Sequence, residues 1–164
     1  MASGESVELG ECTEELARAF LIWLSSSPAA QQYDICTRAL QAFEDEQDSE
    51  QVGVLFLEIG RHLRANPDIP MDQRIPLAQQ AVERALRILE TKGQAEFRAK
   101  ALANLGIIYL ERSRQDRQDK SRALSCFEAA LKILQKLQPT PERNEVIGQI
   151  HIYGSCPVLV IQGR

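Results

Sequence analysis

The sequence predicts an all-α protein in which antiparallel helix pairs stack as a short right-handed α-solenoid. Apolar residues recur at helical spacing between residues 13 and 153, and no alternation typical of a strand precedes residue 157. Aromatic residues form only 5% of the 164-residue chain, so its core must be aliphatic and rich in alanine. Two stretches also repeat each other at a period of 45–46 residues, which is typical of stacked helical repeats.

The first two helices are predicted between Thr13 and the acidic turn Glu44–Asp48. Residues 1–12 are expected to be disordered. Thr13 and Ser27 have side chains that N-cap positions prefer, and Pro28 follows Ser27 at the first helical position. The apolar stripes are Leu16, Phe20, Leu21 and Leu24 in the first helix, and Tyr33, Cys36, Leu40 and Phe43 in the second.

The third and fourth helices form the first copy of the repeat. Asp48 is expected to cap the third helix, where Gln51 completes a capping box, and Asp72 is expected to cap the fourth. The segment from Ala65 to Pro70 separates these helices, and Gly93 ends the fourth. Their apolar stripes are Val52, Leu55, Phe56, Ile59 and Leu63, followed by Ile75, Ala78, Val82, Ala85 and Leu89.

Three further helices complete the repeat domain, which is predicted to span residues 13–153. A polar linker is expected at residues 113–120, between the fifth helix and the sixth. Thr140 is expected to cap the seventh helix, with a proline at its first position. Residues 154–164 break the pattern as an irregular tail, in which Val158–Ile161 has the character of a strand. The apolar stripes are Phe97, Ala101, Leu105 and Ile108, then Ala123, Phe127, Ala130, Leu134 and Leu137, then Val146, Ile150 and Tyr153.

The internal repeat pairs residues 55–89 with residues 101–134. Gly60 corresponds to Gly106, and each glycine is expected where the two helices of a pair approach most closely, because a Cβ atom would hold them apart. Stacking is expected because one helix pair cannot bury its apolar face alone. The other matching positions are Ala78 and Ala123, Val82 and Phe127, Ala85 and Ala130, Leu86 and Leu131, Ile88 and Ile133, and Leu89 and Leu134.

The second copy carries the motif Leu105-Gly106-x-x-Tyr109, followed by Ala123-x-x-x-Phe127-x-x-Ala130. This motif resembles the signature of the tetratricopeptide repeat (TPR) family, with Leu102 at the position of its first tryptophan. TPRs usually repeat every ~34 residues. The longer period here is similar to the long-period TPRs of cyanobacteria and other bacteria, which are often fused to caspase-like peptidase (CHAT) domains. HEAT and armadillo repeats, with periods of ~40–47 residues, are the structural alternative.

The resemblance implies a binding groove lined by the first helix of each pair. The matching positions are Leu57, Glu58 and Arg61 in the first copy, and Lys100, Ala103, Asn104, Ile107 and Glu111 in the second. Lys100 and Asn104 lie one helical turn apart and are expected to hold a carboxylate or backbone group of the partner. The expected partner is therefore another protein, bound through an extended segment or a helix.

Charge is unevenly distributed along the chain, whose net charge is −4. Residues 1–50 hold 11 acidic and two basic residues, whereas residues 51–164 hold 12 acidic and 17 basic ones. Five of the cations lie between Arg112 and Arg122, where Asp116 and Asp119 interrupt them and no aromatic residue is present for base stacking. A solvated loop with local ion pairs is favoured, so no nucleic-acid partner is expected.

No catalytic or cofactor-binding pattern is present in the sequence, so we expect neither an enzyme activity nor a cofactor. The four cysteines form no CxxC pair and are expected to be free thiols without a metal. His151 and Cys156 lie near each other in sequence, but no orienting group accompanies them. Apolar runs such as Phe20–Leu24 are far shorter than the ~20 residues of a membrane helix. The polar, acidic N-terminus argues against a signal peptide, so a cytoplasmic location without membrane contact is expected.

The predicted function is a protein-interaction module or scaffold that binds a peptide or helix in its concave groove, without catalysis. The alternative is a regulatory or truncated part of a larger enzyme system of the CHAT peptidase type. A nucleic-acid or small-ligand binder is the third candidate. The apolar C-terminal end after Tyr153 is expected to reflect truncation, an altered reading frame or a contact between copies in a homo-oligomer.

Overall fold

The structure is a computed structural model that describes residues 19–42, 49–113 and 116–154. These residues form seven helices and no strand, which confirms the prediction of an all-α protein for this part of the chain. Contacts divide the chain into two compact units, Met1–Ile88 and Leu89–Arg164. The expectations for residues 1–12, Thr13 and Leu16, for Phe43 and the turn Glu44–Asp48, and for Cys156 and Val158–Ile161 fall outside the described residues.

The seven helices follow one another with short connections, as the sequence predicts. Helix α1 is described over residues 19–26. The others are α2 (Ala29–Ala42), α3 (Glu50–Ala65), α4 (Met71–Lys92), α5 (Ala95–Arg112), α6 (Arg117–Leu134) and α7 (Pro141–Gly154). The boundary between the two units lies within α4.

Among the described residues, the N-caps agree with the sequence at one position and differ from it at three. Thr140 caps α7, because its side-chain oxygen accepts a hydrogen bond of 3.2 Å from the backbone nitrogen of Arg143. The cap of α3 is Ser49 rather than Asp48. Asp72 lies inside the first turn of α4, which begins one residue earlier. The Ser27 hydroxyl donates back to the carbonyl of Trp23, so it does not cap α2.

Helix α6 begins earlier than the sequence predicts. The linker between α5 and α6 is shorter than the expected residues 113–120, because Asp116 caps α6 and accepts a hydrogen bond from the backbone nitrogen of Gln118. Asp119 lies in the first turn of α6 and is only 1% exposed. Two arginines hold its carboxylate, which lets this polar stretch join a helix instead of staying solvated.

The core of the first unit is built from the predicted apolar stripes of α2, α3 and α4. Leu24 of α1 is also buried, and Leu55 is only half-buried. Arg84 also fastens this core: its guanidinium carbon lies 4.7 Å from the centre of the Phe56 ring, and its Nη1 donates a 3.0 Å hydrogen bond to the carbonyl of Leu40. The residues of the predicted stripes that are buried in the first unit are Cys36, Leu40, Val52, Phe56, Ile59, Leu63, Ile75, Ala78, Val82 and Ala85.

A small polar cluster joins α2 to the end of α3 in the first unit. The side-chain nitrogen of Gln32 donates to the carbonyl of Ser27, so its side-chain oxygen is the acceptor facing His62 and Asn66. The Nε2 atom of His62 therefore carries a proton. Burial lowers the pKa of His62, so the neutral imidazole is the favoured form in the folded protein.

The core of the second unit is built from α5, α6 and α7. Small residues on α5 and α6 allow these helices to come close, and Ile150 of α7 closes the cluster. Partly buried side chains, including Leu102, Tyr109, Val146 and Tyr153, pack around it. The buried members are Ala99, Ala103, Ile107, Ala123, Phe127, Ala130, Leu134 and Ile150.

The two repeat glycines lie at close helix contacts, as the sequence predicts. A Cβ atom added to Gly60 would clash with Cγ2 of Val82 and would lie 3.1 Å from the carbonyl oxygen of Ala78. A Cβ atom added to Gly106 would lie 2.6 Å from Cε1 of Phe127. Val82 and Phe127 are matching positions of the repeat, so each unit contains the same contact between corresponding residues.

Replacing Gly106 or Gly60 by alanine should lower stability by about 1–3 kcal/mol, because the added methyl group has no space in a packed core. Gly148 on α7 provides the matched control, since a Cβ atom there meets nothing within 4 Å. Gly148→Ala should raise stability by about 0.5–1 kcal/mol, as expected for an open helical position. Urea unfolding followed by circular dichroism measures all three variants. A Gly106→Ala protein as stable as the Gly148→Ala protein would contradict the contact.

Candidate protein-interaction site

The eight predicted groove residues differ strongly in accessibility. Four of them are buried: Leu57, Ala103, Asn104 and Ile107. Arg61 is exposed, and Glu58, Lys100 and Glu111 are half-buried. A partner can therefore reach the charged residues of the predicted set at the surface. The four buried residues of the set instead contribute to packing inside the protein.

Helix α7 explains why the apolar groove candidates of the second unit are buried. Ala103 and Ile107 belong to the same cluster as Ile150, and Val146 and Tyr153 pack against that cluster. Helix α7 thus packs against the face of α5 that the repeat pattern assigns to a ligand. Sequence periodicity identifies this face as apolar, but it does not say which neighbour covers it.

Lys100 is held in place by two contacts on α5. Its Nζ atom lies 3.1 Å from the carboxylate of Glu96, one turn earlier, and 5.5 Å from the centre of the Phe97 ring. Glu96 also binds Arg143 of α7, with 3.0 Å between Arg143 Nη2 and Glu96 Oε2. The hydrogen bond from Lys100 is the main reason that the pKa of Glu96 is lowered, and Arg143 adds to it.

Glu96 and Arg143 are functional candidates that sequence reasoning missed. The four-residue spacing of Glu96 and Lys100 indicates an ion pair on a helix, because residues four apart lie next to each other on the helix surface. The hydrogen bond from Arg143 to Glu96 could not be predicted from the sequence, because the two residues lie 47 positions apart. Arg143 also donates to the carbonyl of Gln138, so this triad anchors the start of α7 to the start of α5.

Asn104 does not present its amide nitrogen to a ligand. That nitrogen donates a 2.9 Å hydrogen bond to the carbonyl of Lys100 in the same helix. The structure thus brings Lys100 and Asn104 together, but through the backbone of Lys100 and not through its ammonium group. In the first unit, Glu58 and Arg61 form a surface ion pair with 3.5 Å between Oε2 and Nε. Such an exposed pair contributes little to stability and leaves both groups available to a partner.

The C-terminal face proposed for self-contact is mostly polar where it is described. Ile152 is 72% exposed on α7, and its exposed neighbours on this side of the helix include Glu145, Gln149 and His151. One aliphatic side chain among polar ones is a small apolar surface for a stable dimer. The tail after Gly154 lies outside the described residues.

The described cysteines and acidic groups give no chemical site. Cys36 and Cys126 are free thiols, and burial raises the pKa of Cys36 to about 12 and that of Cys126 to about 11. Both remain protonated and weakly nucleophilic at neutral pH. Among residues 19–42, 49–113 and 116–154, no three His, Cys, Asp or Glu side chains are grouped as a metal ion requires. No helix in this part of the chain combines the length and apolar character that a membrane crossing needs.

No family model matches the chain, and no curated protein or solved structure matches it either. The side chains of the site themselves define what it can bind. They offer an exposed guanidinium at Arg61, an ammonium at Lys100 that Glu96 already holds, and the half-buried carboxylate of Glu111.

Replacing Glu96 by glutamine should lower stability at pH 7 by about 1 kcal/mol, because Lys100 and Arg143 lose a charged acceptor. The folded protein lowers the pKa of Glu96 below its ordinary value of 4.5, so this stabilisation is complete above that pH and is lost as acid protonates the folded carboxylate. The gap between wild type and variant should therefore close in acid.

Urea unfolding at pH 7 and at about pH 3 measures this effect. Glu128→Gln on the exposed side of α6 is the control, and it should behave as wild type at both pH values. A Glu96→Gln protein with unchanged stability at pH 7, or with the same deficit at both pH values, would show that the triad does not hold α5 and α7 together.

Proposed function

We propose that this chain is a TPR-like interaction module that binds a segment of another protein and carries out no reaction. Its helix pairs would stack as a short right-handed α-solenoid, with a cytoplasmic location and no cofactor. The proposal rests on the repeated helix pair, because such units are used across proteins to present a binding face and not to perform chemistry.

The single observation that supports this proposal best is the contact shared by the two units. Gly60 meets Val82, and Gly106 meets Phe127, at matching positions of the repeat. In the second unit, Arg112 contacts Asp119, and the guanidinium of Arg122 lies over the ring of Tyr109. The contact partners of Gly106, Tyr109 and Arg112 are residues 127, 122 and 119, respectively. Residue numbers therefore rise along α5 while they fall along α6, which supports an antiparallel helix pair.

The accessible charged residues of the candidate site define what a partner would meet. Arg61 and Glu58 offer one donor and one acceptor on the first unit. On the second unit, Lys100 and Glu111 lie on the same helix, eleven residues apart, with Lys100 already balanced by Glu96. A partner segment would gain affinity from a few such anchors and not from the total area that it covers.

Affinity capture with the full chain tests the proposal. The wild-type chain should recover at least one protein from a lysate of its source organism, and Arg61→Gln or Lys100→Gln should reduce that recovery severalfold. Lys132→Gln, on the exposed side of α6, is the charge-matched control and should recover the protein as wild type does. Circular dichroism confirms that each variant is folded.

Two results would contradict the proposed function. One is the recovery of no protein above the level of the bare matrix. The other is equal recovery by Lys132→Gln, Arg61→Gln and Lys100→Gln, which would remove the accessible charged residues from the binding site.

A further inference from the structure

Helix α1 is apolar on all sides, but only part of its surface is buried. Residues 20–24 are Phe, Leu, Ile, Trp and Leu, and five consecutive residues go more than once around a helix. Leu24 is completely buried, whereas Ile22 is 66% exposed and Trp23 is 53% exposed. A helix that is apolar all round is normally buried on every side. The outer side of α1 is therefore an apolar surface that stays open to solvent.

Three side chains form this surface, the α1 patch: Phe20, Ile22 and Trp23. The half-buried ring of Phe20 packs beside the ring of Trp23, with 5.9 Å between the ring centres and 52° between the ring planes. Single exposed apolar residues are normal on a protein surface, whereas contiguous ones are typical of interaction sites. The other large apolar side chains that are exposed in the described part of the chain lie singly on three helices: Met71 on α4, Leu124 on α6 and Ile152 on α7.

The α1 patch is uncharged and lies between two acidic stretches of the sequence. Residues 19–33 contain no charged side chain. Residues 1–18 contain five acids and one arginine, and residues 34–50 contain six acids and one arginine. The carbonyl end of α1 also favours positive charge, because the helix dipole is negative at that end. Both effects favour a partner that carries cations beside an apolar face.

The same charges disfavour the two other kinds of occupant for an apolar surface. A second copy of this chain would bring its own acidic stretches next to these, and like charges side by side oppose association. A cytoplasmic membrane surface is negatively charged, and helices that lie on it carry lysine and arginine on their polar face. Residues 19–33 contain neither lysine nor arginine. An amphipathic helix with a basic polar face complements both the apolar patch and the acidic stretches.

We propose that the α1 patch is a docking site for an amphipathic helical segment of a partner protein, with lysines or arginines beside its apolar face. The apolar side chains of that segment would cover Ile22 and Trp23. Trp23 is the expected anchor, because tryptophan supplies a large contact area at a small cost in conformational entropy. The inference goes beyond the proposed function, since the α1 patch shares no residue with the predicted groove.

The fluorescence of Trp23 tests this site, because Trp23 is the only tryptophan of the chain. The probe is a peptide of about 14 leucine and lysine residues, or four helical turns, with its leucines on one helical face. Added to the full chain, it should shift the emission of Trp23 to shorter wavelengths, because the indole ring loses contact with water. A matched peptide with glutamate in place of each lysine should bind about tenfold more weakly or less tightly still. No shift at saturating peptide, or equal binding of the two peptides, would overturn the proposal.

The variant Ile22→Ser removes one side chain of the patch and keeps the tryptophan. It should weaken binding of the lysine peptide about tenfold, as expected for a residue at the centre of an interface. Ile152→Ser is the matched control, because Ile152 is 72% exposed on α7 in the other unit, and it should bind the peptide as wild type does. Circular dichroism shows that each variant is folded. Wild-type affinity of Ile22→Ser, or an equal loss in Ile152→Ser, would contradict a site at the α1 patch.

Two further measurements distinguish the peptide from the other occupants. Light scattering should find the wild-type chain monomeric, and a dimer that Ile22→Ser converts to a monomer would show that a second copy covers the patch. Vesicles of phosphatidylcholine, with and without phosphatidylserine, should leave the emission of Trp23 unchanged. A shift with vesicles that Ile22→Ser abolishes would assign the patch to a membrane surface. Either result makes the peptide proposal wrong and leaves the proposed function to the tests of Arg61 and Lys100.

Discussion

One glycine in each unit allows two helices to approach so closely that a large side chain of one packs onto the backbone of the other. The side chain of Val82 packs on Gly60, and the ring of Phe127 packs on Gly106. Helix axes usually lie 8–10 Å apart, and the side chains at the contact decide the exact distance. With aromatic residues at only 5%, the chain fills its core with small and aliphatic groups, so this close approach is what makes the core dense enough.

The charged features of the second unit follow from the same contact. Packing of Phe127 on Gly106 fixes how far α6 extends beside α5, and thereby places Asp119 within reach of Arg112. The same register puts Arg122 above Tyr109. At the other end of α5, Glu96 binds Arg143 and anchors α7, which covers the apolar face that repeat geometry assigned to a ligand. The candidate binding chemistry of this unit is thus carried by charged side chains at the ends of its helices.

The sequence predicts the helices and their buried stripes well, because a 3.6-residue period is a local property of the chain. It also predicts the contacts at Gly60 and Gly106, because two copies of one pattern can be compared. Helix starts were less predictable: the choice of Ser49 as the cap of α3 depends on backbone detail at one residue. The burial of Asp119 and of the groove candidate Ile107 depends on residues distant in sequence, which periodicity does not report.

A double-mutant cycle at the glycine contacts tests this account most directly. Gly60→Ala would be measured by urea unfolding in the wild-type chain and in a Val82→Ala background, where the space beside residue 60 is larger. The account predicts that the two substitutions are coupled by about 1 kcal/mol or more, with Gly60→Ala much less damaging once Val82 is shortened. Equal losses in both backgrounds would show that Val82 does not pack on Gly60, and the shared helix contact would then be excluded.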